Sequence, residues 1–168
     1  MTLRLELRPA TAADIEGLEW YGSQAWRREP LQRIHARQQE GEAVFLVAAT
    51  RSPGPAGFPV GQLAIDVRAE RDRGVAVLWS LAVIPHLQRL GIATRLLRQA
   101  ESIARERQLT AAELAVNKTN AAAIRVYRRL GYSVVGQRVE GYWRPADEPG
   151  QPEVWEEEDC WVMLKRLD

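Results

Sequence analysis

The sequence predicts a mixed α/β fold, with a central, mainly antiparallel sheet of six to seven strands and helices on both faces. Three observations lead to this prediction. At 168 residues the chain has the length of a single domain, expected to span residues 1–168. Apolar runs of strand length are interspersed with segments of helical periodicity. Successive apolar runs are joined by short turns, which is typical of an antiparallel meander.

The first elements are read from alternation and capping residues. Leu3–Arg8 alternates leucine with charged residues, as a half-buried strand does, and Pro9 ends it. Thr11 is a good helix N-cap, and Asp14 three residues later forms a variant of the capping box. A helix through Ile15, Leu18 and Glu19 therefore follows. A helix is expected next, at Leu31–Gln39. Two strands follow, at Ala43–Ala49 and Val60–Val67, joined by a turn at Arg51–Phe58. A charged turn, Arg68–Gly74, comes after the second of them.

The segment from Val77 to Leu97 reads as a strand, a loop and a helix. Its nearly continuous apolar run suits a strand buried on both faces, and Pro85 ends it. The helix runs to about Gln108 with one apolar side: Ile92, Leu96, Ala100, Ile103 and Ala104. The loop between them, Gln88–Ala93, precedes first-turn amides that have no internal partner. Because Gly91 has no side chain to hold a ligand away, the loop suits a pyrophosphate, and Arg89 and Arg95 add positive charge.

The second half of the chain continues the alternation of strands and helices. Ala111–Val116 is a strand, and its connection to the preceding strand through a helix predicts a right-handed crossover between parallel strands. Thr119 or Asn120 caps the next helix, and Gly131 closes it. Two further strands are expected, at Tyr132–Val139 and at Val154–Leu167. Between them, Arg144–Pro152 has the composition of a loop.

Two motifs resemble those of the GCN5-related N-acetyltransferases (GNAT). V-x-P-x-x-Q-x-x-G-I-A-T, from Val83 to Thr94, resembles motif A, whose core is Q/R-x-x-G-x-G/A. N-x-x-A-x-x-x-Y-x-x-x-G-Y, from Asn120 to Tyr132, resembles motif B. Asn120, Ala123 and Tyr127 stand at i, i+3 and i+7, on one helical face. The resemblance covers roughly Val75 to Gly136 and implies a GNAT-like sheet.

The resemblance implies an enzyme that moves the acetyl group of acetyl-CoA to a primary amine, by direct attack of the amine on the thioester. Acetyl-CoA would lie between strands four and five. The loop amides would hold the pyrophosphate, the backbone of strand four would pair with the pantetheine arm, and motif B would contact the rest of that arm. The implied coenzyme-binding residues are Leu81, Ala82, Val83, Gln88, Arg89, Leu90, Gly91, Ile92, Ala93, Thr94, Asn120, Ala123 and Tyr127.

The resemblance also implies catalytic roles. Tyr127 would donate a proton or hydrogen bond to the leaving thiolate, and the amide of Val83 would meet the oxyanion. Ribosomal-protein acetyltransferases of the family carry a glutamate at the position that matches Ala115. Alanine cannot accept a proton, so this chain needs another base. Glu113 shares a strand face with Ala115 and is the candidate base; Ser80 is an alternative that would order a water.

The acceptor side is less defined. The aromatic-rich segment Gly22–Pro30, with Trp26, either packs two short helices on the sheet or forms a wall of the acceptor pocket. The acidic run Glu153–Asp159 is either a solvated face or a rim that attracts a cationic amine, on which Trp143 and Trp155 would stack. A small polyamine-like or antibiotic molecule, an amino acid derivative and a protein amine stay open as acceptors. So do a longer acyl donor and an acyl-CoA-binding module without turnover.

Composition sets further limits. Lys and Arg total 23 against 22 Asp and Glu, so nothing in the charge demands nucleic acid or an anionic membrane. The single cysteine, Cys160, excludes an internal disulfide and is expected in the core, while His35 and His86 are expected at the surface. We see neither a signal peptide nor a membrane helix. The single cysteine agrees with a reducing, cytoplasmic setting, and no metal is expected. A second copy of the chain is an expected partner, since dimers are common in the family.

Overall fold

The predicted fold class is confirmed by a computed structural model, which describes residues 4–20, 25–51 and 57–168. Within these ranges, seven strands form a mostly antiparallel, open sheet, and four α-helices accompany it. The helices are α1 (Ala12–Gly17), α2 (Arg28–Gln39), α3 (Ile92–Glu106) and α4 (Ala121–Arg129). The strands are β1 (Leu5–Pro9), β2 (Ala43–Thr50), β3 (Pro59–Asp66), β4 (Val75–Val83), β5 (Ala111–Asn117), β6 (Ser133–Arg144) and β7 (Val154–Arg166).

The chain divides into two compact units. The first runs to Ala112 and includes Arg166–Asp168, and the second is Glu113–Lys165. The prediction of a single domain stays a prediction. No helix within the described ranges is both long and apolar enough to cross a membrane.

In the first unit, β1, β2, β3 and β4 pair in chain order, each antiparallel to the next. Every residue of β3 and all but the last residue of β2 are buried, so these strands are covered on both faces. The largest buried side chains of these two strands, all at most 1% exposed, are Phe45, Leu46, Leu63 and Ile65. The meander predicted from the short turns is therefore confirmed for this unit.

The helices of the first unit differ from prediction at their ends. The capping interaction is present, because the Asp14 carboxylate accepts from the N–H and the hydroxyl of Thr11, at 2.7 and 3.0 Å. However, α1 ends at Gly17, so Leu18 caps the helix instead of continuing it. A 3₁₀ turn at Ala25–Arg27 leads directly into α2, which begins three residues earlier than predicted. Pro30 lies in its first turn, where a missing N–H costs nothing.

Residues 21–24 and 52–56 lie outside the described ranges. The predicted turn Arg51–Phe58 and the segment Gly22–Pro30 are therefore tested only in part. Trp26, the aromatic residue singled out in the second segment, is 49% exposed. Both interpretations of that segment stay open.

An arginine of helix α2 contacts two strands of the sheet. The Arg37 guanidinium pairs with Asp66 at the end of β3 and lies 5.0 Å from the ring centroid of Trp79 on β4. Burial acts to raise the pKa of Asp66, but the amides of Ala69 and Arg68 and the Arg37 guanidinium outweigh it. The pKa of Asp66 therefore lies below its ordinary value.

Asp66→Asn is expected to flatten the acid limb of the stability curve. A carboxyl whose pKa is lowered by folding stabilises the native state above its unfolded pKa, about 3.9. That contribution is lost as the pH falls through the native pKa. Urea unfolding between neutral pH and about pH 2 should therefore show a smaller decrease in free energy of unfolding for the variant. Parallel curves for the two proteins would contradict this assignment.

The second unit contains the helix α4 and a long hairpin. Strand order here is β5, β7, β6, so β6 lies at the edge. Strand β6 was predicted to end near Val139 but continues to Arg144, and the loop is correspondingly confined to residues 145–153. The extension, Glu140–Arg144, pairs with Val154–Glu158, so all of the acidic run except Glu153 belongs to strand β7. The predicted final strand, Val154–Leu167, agrees with β7 to within one residue. In β6, the glycine and charged residues after Val139 obscured the alternation on which sequence patterns rely.

Candidate functional site

Strand β4 carries a β-bulge in its second half. Between the pairs Gln62–Ala82 and Ala64–Trp79, two residues of β4, Ser80 and Leu81, oppose a single residue of β3. Ser80 has a φ of 59°, unusual for a residue other than glycine. Residues 79–82 are half-buried, so the prediction of a strand buried on both faces is wrong for this part of β4. The bulge interrupts the regular ladder at the segment implied to pair with pantetheine.

A glutamine that sequence reasoning missed holds this bulge. The Gln62 amide Nε2 donates to the Ser80 carbonyl at 3.0 Å and to its hydroxyl at 2.8 Å. Because the Ser80 Oγ accepts this bond, its own hydrogen points away from Gln62. Gln62 is fully buried, and its Oε1 has no hydrogen-bond partner among the described residues. The signal available in the sequence was a lone amide within the apolar run of β3.

The loop that follows β4 presents backbone amides. After a 3₁₀ turn at Pro85–Leu87, Arg89 and Gly91 have φ values of 66° and 82°, a conformation found where successive N–H groups converge on an anion. The first bond of the helix runs from the Arg95 N–H to the Gly91 carbonyl, at 3.0 Å. The amides of residues 92–94 therefore have no acceptor within the helix. A Cβ built on Gly91 would meet no protein atom within 4 Å, so the space beside it is open.

Close packing positions this loop. A Cβ on Gly61 would lie 3.2 Å from Ile92 and from Leu96, so the missing side chain lets the first turns of α3 approach β3 closely. The predicted apolar side of α3 is confirmed, with Ile103 only half-buried. At the other end of the loop, the Gln88 Nε2 donates to the Val83 carbonyl at 3.2 Å. The loop is thus fixed at both ends.

In the second unit, the motif B residues lie on α4. Asn120 is its N-cap, and its Oδ1 accepts from the Ala123 N–H at 3.2 Å. The Asn120 side-chain NH₂ has no partner within the described ranges and can donate to a ligand. Asn117 shapes the entry to the helix by accepting from the Thr119 N–H at 2.9 Å and from its hydroxyl at 2.8 Å.

Tyr127 is half-buried on the same helix. Its ring meets that of Tyr132 edge to face, with the centroids 6.2 Å apart. Burial raises the pKa of the Tyr127 phenol above its ordinary value. The phenol therefore keeps its proton at neutral pH, which is what a proton donor requires.

Glu113 is buried, at 6% exposure, and does not face solvent. The Arg138 Nη1 lies 3.6 Å from its Oε1. Ala115, two residues along the strand, is half-buried and offers no titratable group. Glu113 is thus a buried carboxylate with a cationic neighbour, and its role as a base stays a proposal.

The hairpin of β6 and β7 combines acids and aromatic rings. Glu156 pairs with Arg144, Glu158 accepts from the Tyr142 hydroxyl at 3.1 Å, and Glu157 accepts from the Trp155 indole at 3.2 Å. Trp143 and Trp155 pair across the strands with centroids 5.3 Å apart and remain exposed, at 60% and 49%. The acidic run is therefore a strand surface with defined partners.

The sequence also offered a cysteine and histidines as candidate residues. Cys160 is 2% exposed, and burial and nearby carboxylates raise the pKa of its thiol, so it is an unreactive core residue. His86 is exposed in the 3₁₀ turn, as expected. No group of three or more His, Cys, Asp or Glu suited to a metal ion occurs in the described part of the chain.

Comparison with known proteins places this arrangement in a family. The model of the acetyltransferase (GNAT) family matches residues 10–132. The ribosomal-protein-S18-alanine N-acetyltransferase of Escherichia coli superposes with a TM-score of 0.72, at 20% identity, over 98% of this chain and 95% of that one.

Two further solved structures share the fold. The PaiA N-acetyltransferase of Thermoplasma acidophilum, in complex with coenzyme A, has a TM-score of 0.67 and 21% identity over 97% of this chain and 99% of that one. NAA60 of Arabidopsis thaliana, with a bisubstrate analogue, has a TM-score of 0.70 and 19% identity over 97% and 98%. At these identities the structures establish the fold alone. Since the family model covers most of the chain, this protein belongs to the GNAT family of acetyltransferases.

Proposed function

We propose that this acetyltransferase moves an acetyl group from acetyl-CoA to a primary amine, through direct attack of the amine on the thioester. The observation that supports it most is the loop before α3, where amides without internal partners surround an open space beside Gly91. These amides and the positive end of the α3 dipole suit a diphosphate. The backbone of Leu81–Val83 pairs with the pantetheine arm, and the Asn120 NH₂ donates to it.

We assign two tasks to the residues of this chain: they transfer protons, and they stabilise the negative charge that develops on the thioester oxygen. The amine lone pair attacks the thioester carbon, and the Val83 amide donates to the oxyanion that forms. When the carbon–sulfur bond breaks, Tyr127 gives its proton to the leaving thiolate. The products are the N-acetylated amine and free coenzyme A, and no acyl-enzyme bond is formed.

The amine must be neutral to attack, so its proton needs an acceptor. We assign this role to Glu113, acting directly or through an ordered water. Glu113 is buried on β5, and the Arg138 guanidinium lies 3.6 Å from its carboxylate. The alternative is the Ser80 hydroxyl, which Gln62 orients and which would order the water.

The test is release of coenzyme A from acetyl-CoA, detected with a thiol reagent, in the presence of an amine panel. The panel contains polyamines, aminoglycosides, amino acid amides and peptides with a free N-terminus. Release that depends on one of these amines supports the proposal, and the same panel with succinyl-CoA tests a longer acyl donor. Binding of coenzyme A without turnover on any amine would favour a non-catalytic acyl-CoA-binding module instead.

The acidic hairpin gives a prediction for a cationic acceptor. Replacing Glu156, Glu157 and Glu158 together by glutamine is expected to raise KM for such an amine by about threefold or more at low salt, because the attraction of the acidic surface is removed. The difference should shrink as salt screens the charges. The KM for acetyl-CoA serves as the internal control and should not change. Equal KM values for the amine at low salt would contradict the prediction.

A further inference from the structure

A buried arginine lies between helices α1 and α2. Arg27, in the 3₁₀ turn that leads into α2, is 9% exposed. Its Nη1 donates to the Leu18 carbonyl at 3.3 Å, and its guanidinium carbon lies 4.7 Å from the centroid of the Trp20 ring. The Nε and Nη2 groups have no hydrogen-bond partner within the described ranges. These two groups form the edge through which a guanidinium makes two parallel bonds to a carboxylate, and that edge is unoccupied.

No acid in the described part of the chain pairs with Arg27. Of the acids close to it in sequence, Glu19 is held by Arg28 through two hydrogen bonds, and Glu29 pairs with Arg33. The residues outside the described ranges include neither aspartate nor glutamate. Burial lowers the pKa of the Arg27 guanidinium, as expected for a cation without a counter-ion. Because an uncompensated charge is costly to bury, a protein generally keeps one for a reason other than packing.

The surroundings of Arg27 add positive potential and fix its position. Arg27 is the N-cap of α2, where the helix dipole is positive and where an oxygen-bearing side chain is usual. Trp20, against which the guanidinium stacks, has a φ of 45°, a strained conformation for a bulky residue. Its indole Nε1 donates to the Pro59 carbonyl at 3.2 Å, which fixes the ring. The cation and its aromatic support are therefore in place before a ligand binds.

This arrangement lies beside the end of β4 at which acetyl transfer is proposed. Pro59, which Trp20 contacts, begins β3, and the next residue, Val60, accepts from the Ile84 N–H at 2.8 Å. Ile84 directly follows Val83, whose amide is proposed to meet the oxyanion. A substrate that reacts beside Val83 can therefore extend a second group toward Trp20.

We propose that Arg27, stacked on Trp20, binds a carboxylate of the acceptor, so that the substrate is an amine that also carries a carboxylic acid, as an amino acid does. A carboxylate has one negative charge and two oxygens in one plane, which match the free Nε and Nη2 edge. A phosphate, with a charge of about −1.5 to −2, would be only partly neutralised by one guanidinium. This inference rests on the proposed function, since it names the class of acceptor.

The test compares amines that differ only in the carboxyl group: a panel of L-amino acids, with γ-aminobutyrate, each beside its amide. Thermal unfolding detects binding without turnover, and the preferred acid should raise the midpoint whereas its amide and inorganic phosphate should not. Coenzyme A release should show a lower KM for that acid than for its amide. Equal responses to acids and amides, including none to either, or a larger response to phosphate, would overturn the proposal. A midpoint shift with acids but no coenzyme A release would contradict acetyl transfer and leave the carboxylate site standing.

Arg27→Met should abolish the midpoint shift and reduce the preference for acid over amide by about 10- to 100-fold, as expected for the loss of charge-assisted hydrogen bonds. Its own midpoint should stay close to that of the unaltered chain, because removal of an unpaired buried charge offsets the lost bond to Leu18. Arg27→Lys keeps the charge without the fork, should lose part of the preference, and serves if the methionine variant does not fold. Arg33→Met, exposed on the same helix, is the control and should keep the preference. If the Arg27 variants keep it too, or weaken acids and amides equally, Arg27 does not bind a carboxylate.

Discussion

Gly91→Asn is expected to weaken coenzyme A binding by about 10- to 100-fold while leaving the fold intact. The side chain would occupy the open space beside the loop amides and displace at least one charge-assisted hydrogen bond to the diphosphate, worth about 1.5–3 kcal/mol. Asparagine tolerates the left-handed backbone that Gly91 adopts, at φ 82°, so the cost in stability should be about 1 kcal/mol or less. Calorimetric titration with coenzyme A measures the first effect and thermal unfolding the second.

Gly41 provides the matched control. It has a φ of 75°, its added Cβ would also meet nothing within 4 Å, and it lies between α2 and β2, away from the loop. Gly41→Asn should therefore change the thermal midpoint by about as much as Gly91→Asn and leave coenzyme A affinity unchanged. If both variants bind coenzyme A like the unaltered chain, the diphosphate is not held at Gly91, and the proposed donor site would be wrong.

Much of the fold follows from local rules that the sequence displays. Apolar runs bounded by turns identified β2 and β3, since strands buried on both faces need apolar residues throughout. The Asn120 cap and Gly131 fixed the ends of α4 because capping residues satisfy the terminal amides and carbonyls locally. The spacing of residues within the two motifs identified the family, and the family model matches residues 10–132.

What could not be predicted depends on contacts between distant residues. The bulge at Ser80 depends on Gln62, eighteen positions earlier, and no periodicity encodes that pairing. The extension of β6 depends on cross-strand partners such as Arg144 and Glu156, and Arg144 looks like loop composition when its own strand is read alone. The burial of Glu113 likewise follows from packing, because an isolated glutamate in a strand is usually exposed.

The missed glutamine illustrates how such residues can be recognised. A fully buried acceptor without a partner costs stability, about 1–3 kcal/mol, so one is generally retained for a reason other than packing. Gln62 lies on β3 next to the bulge of the strand proposed to bind pantetheine. Stability would favour an apolar residue of the same shape there. The polar residue instead donates two hydrogen bonds to Ser80, whose φ is left-handed, directly before the Leu81–Val83 backbone proposed to bind pantetheine.

Tyr127→Phe is expected to lower kcat by about 100-fold or more, with little change in KM for acetyl-CoA. Removing the phenol hydroxyl deletes the proton donor for the leaving thiolate, and general acid catalysis typically contributes about 10²–10⁴-fold. The ring remains and keeps its edge-to-face contact with Tyr132, so thermal stability should be nearly preserved. Tyr142→Phe removes an exposed hydroxyl from the hairpin and should leave kcat unchanged.

The pH profile separates this role from a structural one. Because burial raises the pKa of the Tyr127 phenol above about 10, the unaltered enzyme should keep its proton donor throughout the neutral and mildly alkaline range. Activity should fall only where the phenol ionises, and the phenylalanine variant should lack that alkaline limb. If the variant keeps full kcat and the same alkaline limb, the thiolate takes its proton from another source, and α4 would contribute binding alone.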